Sequence, residues 1–225
     1  MMSAQVPPSD VVDRLVATHI APHGKPSDVG AFASWARENR LSIIFVDLTC
    51  ADQARVALSG CATQIGVPCA HPTGFLSTDT KVAFINAASQ GVVDEIDMGV
   101  SIDHLRDGRF DQVTSEVREL VDASDHAIRV VFTVDLPLLR ESSVLKACEA
   151  IARGGGEAIC TAWGYGVRTD VSLIRQLVTR FGEDLQIEAS GGIRTLAVVR
   201  DMLASGAYRV HSGKPAAILK EVSGE

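Results

Sequence analysis

The chain of 225 residues carries a net charge of −7, with 46% apolar and 22% charged residues. This is the composition of an ordinary globular protein, and its length suits one large domain or two small ones. The acidic balance and the lack of a Lys/Arg run argue against a nucleic-acid partner. No apolar run approaches the roughly 18–20 residues needed to cross a bilayer, so no membrane partner is expected.

The N-terminal sequence MMSAQVPPSD has neither the basic region nor the apolar region of a signal peptide. The five cysteines form no C-x-x-C pair; they are Cys50, Cys61, Cys69, Cys148 and Cys160. An odd, unpatterned set in a chain without a signal predicts reduced thiols and a cytoplasmic location. We expect residues 1–12 to be a loose lead-in and residues 13–225 to form a single domain.

Eight short apolar segments are predicted as strands. In chain order they are RLVATHI (14–20), LSIIFVD (41–47), ATQIGVP (62–68), VVDEIDMGV (92–100), AIRVVFTVD (127–135), EAICTAW (157–163), LQIEAS (185–190) and YRVHS (208–212). They lack a regular alternation of apolar and polar residues, which is typical of strands buried on both faces of a parallel sheet.

Helical patterns fill the gaps between these strands. The apolar residues of segments 113–121 and 171–181 recur at three- and four-residue steps, as one face of a helix requires. Thr169-Asp170 and Thr195 are candidate N-caps. Eight strands alternating with helices fit either a closed barrel or an open doubly wound sheet. Because no G-x-G-x-x-G follows the first strand, we predict an α/β fold with a single (β/α)8 TIM barrel.

Polar side chains gather at the ends of the later strands, where barrel enzymes carry their active sites. The candidate catalytic residues there are Asp97, Arg129, Cys160, Glu188 and Lys214. A carboxylate inside a barrel is costly unless it is paired, which favours a functional role for Asp97 and Glu188 together. Cys160 taken alone is as easily a small buried apolar residue.

The turn SGGIRT (190–195) places two glycines directly before a predicted helix. Such a turn exposes backbone N–H groups that suit a phosphate or another small anion. The candidate substrate- or anion-binding residues in this turn and in the neighbouring loops are Gly164, Gly191, Gly192, Arg194, His211, Ser212 and Gly213. No nucleic acid, membrane or cofactor is implied, and the expected partner is a small-molecule substrate.

Four segments resemble the deoxyribose-phosphate aldolase family: HPTGFLSTDTKVAF (71–84), DEIDMGVSIDHLRDGRFDQV (94–113), AICTAWGYGVRTDVSLIRQL (158–177) and EASGGIRTLAVVRDMLASGAYRV (188–210). The resemblance extends from about Thr18 to Leu219, and the motifs agree in order and spacing. It implies a (β/α)8 barrel that makes or cleaves a carbon–carbon bond through a lysine Schiff base.

The resemblance also implies which positions carry that chemistry, and two of them differ. Asp97 matches the family's catalytic aspartate, which relays protons. The Schiff-base lysine falls at Cys160, and a second lysine, which lowers the pKa of the first, falls at Glu188. His211-Ser212-Gly213 replaces the family's G-A-S phosphate loop, whereas Gly164, Gly191 and Gly192 survive from the phosphate-contacting turns.

Loss of both lysines removes the family's covalent chemistry at these positions, because an imine needs a neutral amine. We therefore predict a lyase of the aldolase type that acts on a small carbonyl or sugar-like substrate, with Asp97 and Glu188 as acid and base. Arg129 or Lys214 would hold an anionic group or stabilise an enolate.

Several alternatives remain open at this stage. The Schiff base could have moved to Lys214, or Asp97, Cys160, Glu188 and His211 could bind a divalent metal as the electron sink. A third alternative is a non-catalytic family member that binds a metabolite. The sequence does not fix the oligomeric state, although the outer helices of a barrel would allow a homodimer.

Overall fold

Eight parallel strands close into a barrel in the computed structural model, which describes residues 6–20, 24–125 and 127–224. The strands are β1 (Leu15–His19), β2 (Ile43–Val46), β3 (Gln64–Cys69), β4 (Glu95–Gly99), β5 (Arg129–Thr133), β6 (Ala158–Cys160), β7 (Gln186–Ala189) and β8 (Arg209–Ser212). Each strand pairs with the next, and β8 returns to β1. The predicted TIM barrel is confirmed.

Apart from α1, which precedes β1, the helices follow the strands and cover the outside of the barrel. They are α1 (Pro8–Arg14), α2 (Val29–Glu38), α3 (Ala51–Ala57), α4 (Thr78–Ala88), α5 (Ile102–Arg106), α6 (Phe110–Ser124), α7 (Glu141–Arg153), α8 (Val171–Phe181), α9 (Leu196–Ala204) and α10 (Pro215–Ser223). Asp170 stands directly before α8, as expected, but its side chain makes no capping hydrogen bond. The Thr195 side chain does cap α9, because it accepts a hydrogen bond from the Val198 N–H. No helix within the described residues is long and apolar enough to cross a membrane.

The N-terminal lead-in predicted for residues 1–12 is only partly in the described chain. Residues 1–5 lie outside it, but α1 covers residues 8–14 and buries Val11 completely. Pro8 stands in the first turn of this helix, where its missing N–H costs nothing. The predicted boundary at residue 12 therefore falls inside a helix that packs against the rest of the domain.

The apolar core lies between the strands and the helices. Strand residues such as Ile96, Ile159 and Ile187 face outwards and pack with helix residues such as Val117 and Leu177. Because neighbouring residues of a strand point to opposite faces, the residues next to these isoleucines face the inside of the barrel. This alternation places the side chains of Asp97, Cys160 and Glu188 in the interior.

The strand register sets the depth of each interior side chain. Glu95 of β4 is paired with Arg129 of β5, and Asp97 comes two residues later on the same face. In the same way Glu188 of β7 is paired with Arg209 of β8, and His211 comes two residues later. Glu95, Arg129 and Arg209 consequently lie deeper in the barrel, and Asp97 and His211 lie nearer the carboxyl ends of the strands.

Candidate active site

Four charged side chains form a cluster across the lower interior of the barrel. The Arg209 guanidinium donates to Glu95 at 2.6 and 2.7 Å and to Glu188 Oε1 at 2.7 Å. The Arg129 guanidinium also pairs with both carboxylates, reaching Glu188 Oε1 at 2.9 Å. Glu95 and Glu188 are buried. Two guanidiniums thus neutralise two carboxylates that water does not reach.

His211 stands directly above this cluster. Its Nε2–H donates to Glu188 Oε2 at 2.7 Å, while Nδ1 lies 3.9 Å from Asp97 Oδ2. Burial lowers the pKa of His211, but Cys160, Glu188 and Asp97 outweigh burial and raise that pKa well above its ordinary value. Glu188 thereby fixes the orientation of the imidazole ring and favours a positive charge on it.

Asp97 combines burial with an unsatisfied oxygen. Burial raises the pKa of Asp97 to about 7, against the opposing charge of His211, and the nearby Glu95 and Glu188 add to the rise. The Oδ1 atom is buried and has no hydrogen-bond partner among the described residues. A carboxyl group whose pKa is close to neutral can both give and take a proton, as general acid–base catalysis requires.

The pKa of Glu188 is shifted in the opposite direction from that of Asp97. Burial acts to raise its pKa, but the hydrogen bond from His211 and the charges of Arg209, His211 and Arg129 lower it to about 2. Glu188 is therefore a permanent anion at neutral pH. Its carboxylate is committed to ion pairs and to the imidazole of His211.

Cys160 lies in the interior, next to Glu188 in the strand register and fully buried. Burial raises the pKa of its thiol, and Asp97 and Glu188 raise it further, whereas His211 opposes them. The ligand-type atoms of Asp97, Cys160 and His211 all lie within 4.8 Å of one another. Three strands thus deliver a carboxylate, a thiol and an imidazole to one point.

A cavity of about 730 Å³ opens above this point, with Asp97 and His211 in its floor. The loops after β6, β7 and β8 supply much of its wall. Gly164, Gly191 and Gly192 adopt φ angles of 99°, 102° and 75°, the left-handed region that glycine enters without strain. A Cβ at Gly192 would also lie 2.8 Å from the Arg168 side chain, so the turn depends on glycine at this position.

Most of the predicted site residues meet around this cavity. Its lining includes Asp97, Gly164, Gly191, Gly192, Arg194, His211, Ser212, Gly213 and Lys214. Cys160 and Glu188 are not among the lining residues and lie behind Asp97 and His211. Ser212 lies in the wall, but its hydroxyl donates to the Ile193 carbonyl at 2.8 Å and accepts from the Lys214 N–H at 3.0 Å. It therefore joins two loops and has no O–H left for an anion.

The position of Arg129 differs from the expectation that it holds a substrate anion or an enolate. Its guanidinium is bound to Glu95, Gln186 and Glu188, and it does not line the cavity. The reason is its register with Glu95, two residues below Asp97. In this position Arg129 balances the charge of the buried carboxylates.

Three contributors to the site were not among the predicted site residues. Glu95 and Arg209 complete the charged cluster, and Arg168 reaches the cavity wall beside Gly192. Arg209 could have been found from the two-residue alternation on β8, which puts it on the same face as His211. Glu95 stands in the same relation to Asp97 in DEID (94–97).

Comparisons with known proteins extend over nearly the whole chain. It is 29% identical over 198 residues to a deoxyribose-phosphate aldolase of Staphylococcus carnosus, covering 86% of this chain and 88% of that one. It is 26% identical over 212 residues to deoxyribose-phosphate aldolase 2 of Bacillus licheniformis, covering 92% and 94%. The chain is thus similar over most of its length to deoxyribose-phosphate aldolases. No family model matches it.

Solved structures support the same fold. The aldolase QR15 superposes with a TM-score of 0.89 at 22% identity, covering 96% of both chains. The tetrameric deoxyribose phosphate aldolase of Aeropyrum pernix superposes with a TM-score of 0.86 at 16% identity, covering 96% of this chain and 92% of that one. At these identities the superpositions show the barrel fold but do not show which reaction the protein catalyses.

Proposed function

We propose that the protein is an aldolase-like lyase that acts on a small, sugar-like carbonyl substrate without forming a Schiff base. It would cleave or form a carbon–carbon bond of this substrate, or enolise it. The observation that carries this proposal is Asp97: a buried carboxyl group in the floor of the cavity, with a pKa of about 7 and an unpartnered oxygen. Aldol-type chemistry needs one group that takes a proton from carbon or oxygen and returns it, and Asp97 fits that need.

The lysines of the chain support a mechanism without an imine. Lys214 is the only lysine among the described residues that line the cavity, and it stands at the rim, just outside β8. Lys81 is buried, but its ammonium pairs with Glu116 and the Gly99 carbonyl. At the depth of Asp97, the barrel presents Cys160 and His211 in place of an amine.

We assign the proton transfer to Asp97, and we propose that the positive charge of His211 stabilises the ionised form of Asp97. An imidazolium held by Glu188 would stabilise the Asp97 carboxylate after it has given up its proton, and could also donate to an oxyanion on the substrate. Glu188, whose pKa is about 2, does not itself exchange protons near neutral pH. In this scheme Glu188 is a positioning residue rather than the acid or base of the reaction.

We further propose that the substrate carries a phosphate or carboxylate group that binds at the cavity rim. Three cationic side chains, Arg168, Arg194 and Lys214, line the cavity near the glycine turns after β6 and β7. Charge-assisted hydrogen bonds to an anion are stronger than neutral ones, and they would orient the carbonyl end towards Asp97. A cytoplasmic location fits the five free thiols and remains a prediction, as does a homodimer.

The proposal is tested with a panel of small phosphorylated and carboxylated aldehydes and ketones, including 2-deoxyribose 5-phosphate. Coupled assays detect cleavage, and proton NMR in D2O detects exchange next to the carbonyl. We expect turnover or exchange with at least one compound, negligible cleavage of 2-deoxyribose 5-phosphate, and loss of activity in Asp97→Asn but not in Asp201→Asn, an exposed control on α9.

Borohydride trapping gives an independent test of the mechanism. We expect no mass increase with any active substrate, since no imine forms. A trapped adduct on Lys214 would overturn the proposal in favour of a relocated Schiff base. Thermal stabilisation by a compound that is neither cleaved nor exchanged would instead favour a non-catalytic metabolite-binding protein.

A further inference from the structure

We propose that Asp97, Cys160 and His211 form a binding site for one divalent transition-metal ion of the Zn²⁺ type, open to the cavity. The three residues supply a carboxylate oxygen, a thiolate sulfur and an imidazole nitrogen from β4, β6 and β8. This is a donor set that Zn²⁺ and similar ions prefer. Three protein ligands with a free fourth position are typical of catalytic rather than structural zinc.

The distances between these atoms suit an ion after a small adjustment. All three donor atoms lie within 4.8 Å of one another, and His211 Nδ1 is 3.9 Å from Asp97 Oδ2. Zinc bonds of about 2.0–2.3 Å at tetrahedral angles would place neighbouring donors roughly 3.3–3.6 Å apart. Shifts of about an ångström in side chains would close this difference while the strands stay in place.

The surroundings of His211 are those of a metal ligand. A ligating histidine almost always donates its other ring N–H to a carboxylate or a carbonyl, which fixes the ring and raises its basicity. Here Nε2–H donates to Glu188 Oε2 at 2.7 Å, and Nδ1 is turned towards Asp97. Glu188 in turn is held by Arg129 and Arg209, so this outer support is itself fixed.

A second, independent observation comes from Asp97. Its side chain is buried and lines the cavity, yet Oδ1 has no hydrogen-bond partner among the described residues. A buried carboxylate oxygen without a partner is costly. An ion bound by Asp97 would remove this cost.

The charges of the interior also balance around a divalent ion. Glu95, Asp97 and Glu188 with a Cys160 thiolate carry four negative charges, and Arg129 with Arg209 carries two positive ones. A divalent cation supplies the remaining two. Without it, protons on Cys160 and on Asp97 or His211 must fill the same need.

The chemical role of such an ion rests on the proposed function, whereas its binding does not. A metal ion in contact with a substrate carbonyl oxygen withdraws electron density and stabilises an enolate. It would therefore act as an electron sink, and it would replace the proton on His211 Nδ1, so that the ion and not an imidazolium supplies the positive charge at this point. The open position faces the cavity because Asp97 and His211 lie in its floor.

The test uses the full-length protein, stripped with a chelator and titrated with Co²⁺ as a spectroscopic probe and with Zn²⁺. We expect one ion per chain, a sulfur-to-cobalt charge-transfer band in the near ultraviolet, and a rise in thermal stability with metal concentration. Cys160→Ser and Cys160→Ala should lose the band and stoichiometric binding. Cys61→Ser, which removes a partly exposed thiol remote from the site, should keep both.

Absence of a stoichiometric ion, or a charge-transfer band that persists in both Cys160 variants, would overturn the metal site. A wild-type protein that turns over substrate equally well after chelation would overturn the role of the ion but leave the proposed function intact. A protein that binds one ion through Cys160 but acts on no compound of the panel would keep the site and remove the proposed function.

Discussion

Replacement of Glu188 by glutamine tests whether the buried charged cluster holds the barrel together. Glu188→Gln keeps the size of the side chain but removes one negative charge, so that Arg129 and Arg209 share a single carboxylate, Glu95. Breaking a buried ion pair by removing one partner costs about 3–5 kcal/mol, because an uncompensated charge stays buried. We expect a loss of this size in the free energy of unfolding at pH 7.

The pKa of Glu188 gives a second route to the magnitude. Its folded-state pKa of about 2 lies below the ordinary value of 4.5, and each unit corresponds to about 1.36 kcal/mol, so the charged form contributes roughly 3 kcal/mol. Since the folded pKa is lowered, this stabilisation is fully present above pH 4.5 and is lost as the pH falls through about 2. The difference between wild type and Glu188→Gln should therefore shrink below pH 4.5.

The expected loss converts into a change of melting temperature. An unfolding entropy of about 2.1 cal/mol/K per residue gives roughly 0.47 kcal/mol/K for 225 residues, so 3–5 kcal/mol lowers the midpoint by about 6–11 °C. Calorimetry and urea unfolding at pH 7 measure this. Glu149→Gln is the matched control, because Glu149 is half exposed and 3.7 Å from an exposed Arg180. It should shift the midpoint by less than about 2 °C. A Glu188→Gln midpoint no lower than that of the control would refute the reasoning.

Three further outcomes follow from the site. The folded pKa of Asp97 is raised from 3.8 to about 7, so the free-energy cost of burying its charge develops as the pH rises between these values. Asp97→Asn should therefore raise the melting temperature more at pH 8 than at pH 5. An equal effect at both pH values would contradict the assignment. If Asp97 is the base, kcat/KM should rise with pH through about 7, and a flat profile between pH 5 and 9 would exclude it. Arg194→Ala should raise KM for an anionic substrate about tenfold or more with a smaller effect on kcat, whereas Lys220→Ala on α10 should leave KM unchanged.

The barrel was predictable from the sequence because its strands are short, mostly apolar segments that are separated by helical periods, although the inner face of several strands carries charged residues. All eight predicted segments contain a strand, and the strand ends differ by only a few residues. The shortest, β6, has three residues, since the chain leaves the sheet at Thr161 towards the loop that carries Gly164. The lead-in was harder, because seven residues such as PSDVVDR (8–14) form a helix only by packing Val11 against the barrel.

The site was predictable only in part. The motif DEID and the turn SGGIRT indicated that Asp97, Gly191 and Gly192 lie at strand ends, which are local features, and all three line the cavity. The charged cluster is not local: Glu95 and Arg209 are 114 residues apart, and their contact depends on how the barrel closes. For the same reason, no local pattern indicated that Arg129 would pair below the cavity, or that His211 would link Glu188 to Asp97.

The cluster also bears on the proposed absence of a Schiff base, because changing one residue would not be enough to create one. The resemblance to the aldolase family implies a lysine at position 160 with a second cation at position 188, and the cation keeps the reactive amine neutral. Here position 188 is a carboxylate with a pKa of about 2, fixed by Arg209 and by the imidazole of His211. A lysine introduced at position 160 would meet an anion, which favours the charged ammonium and raises the pKa of the amine. The substitution Cys160→Lys alone should therefore give no imine, because the interior of this barrel is arranged to attract a cation rather than to deprotonate one.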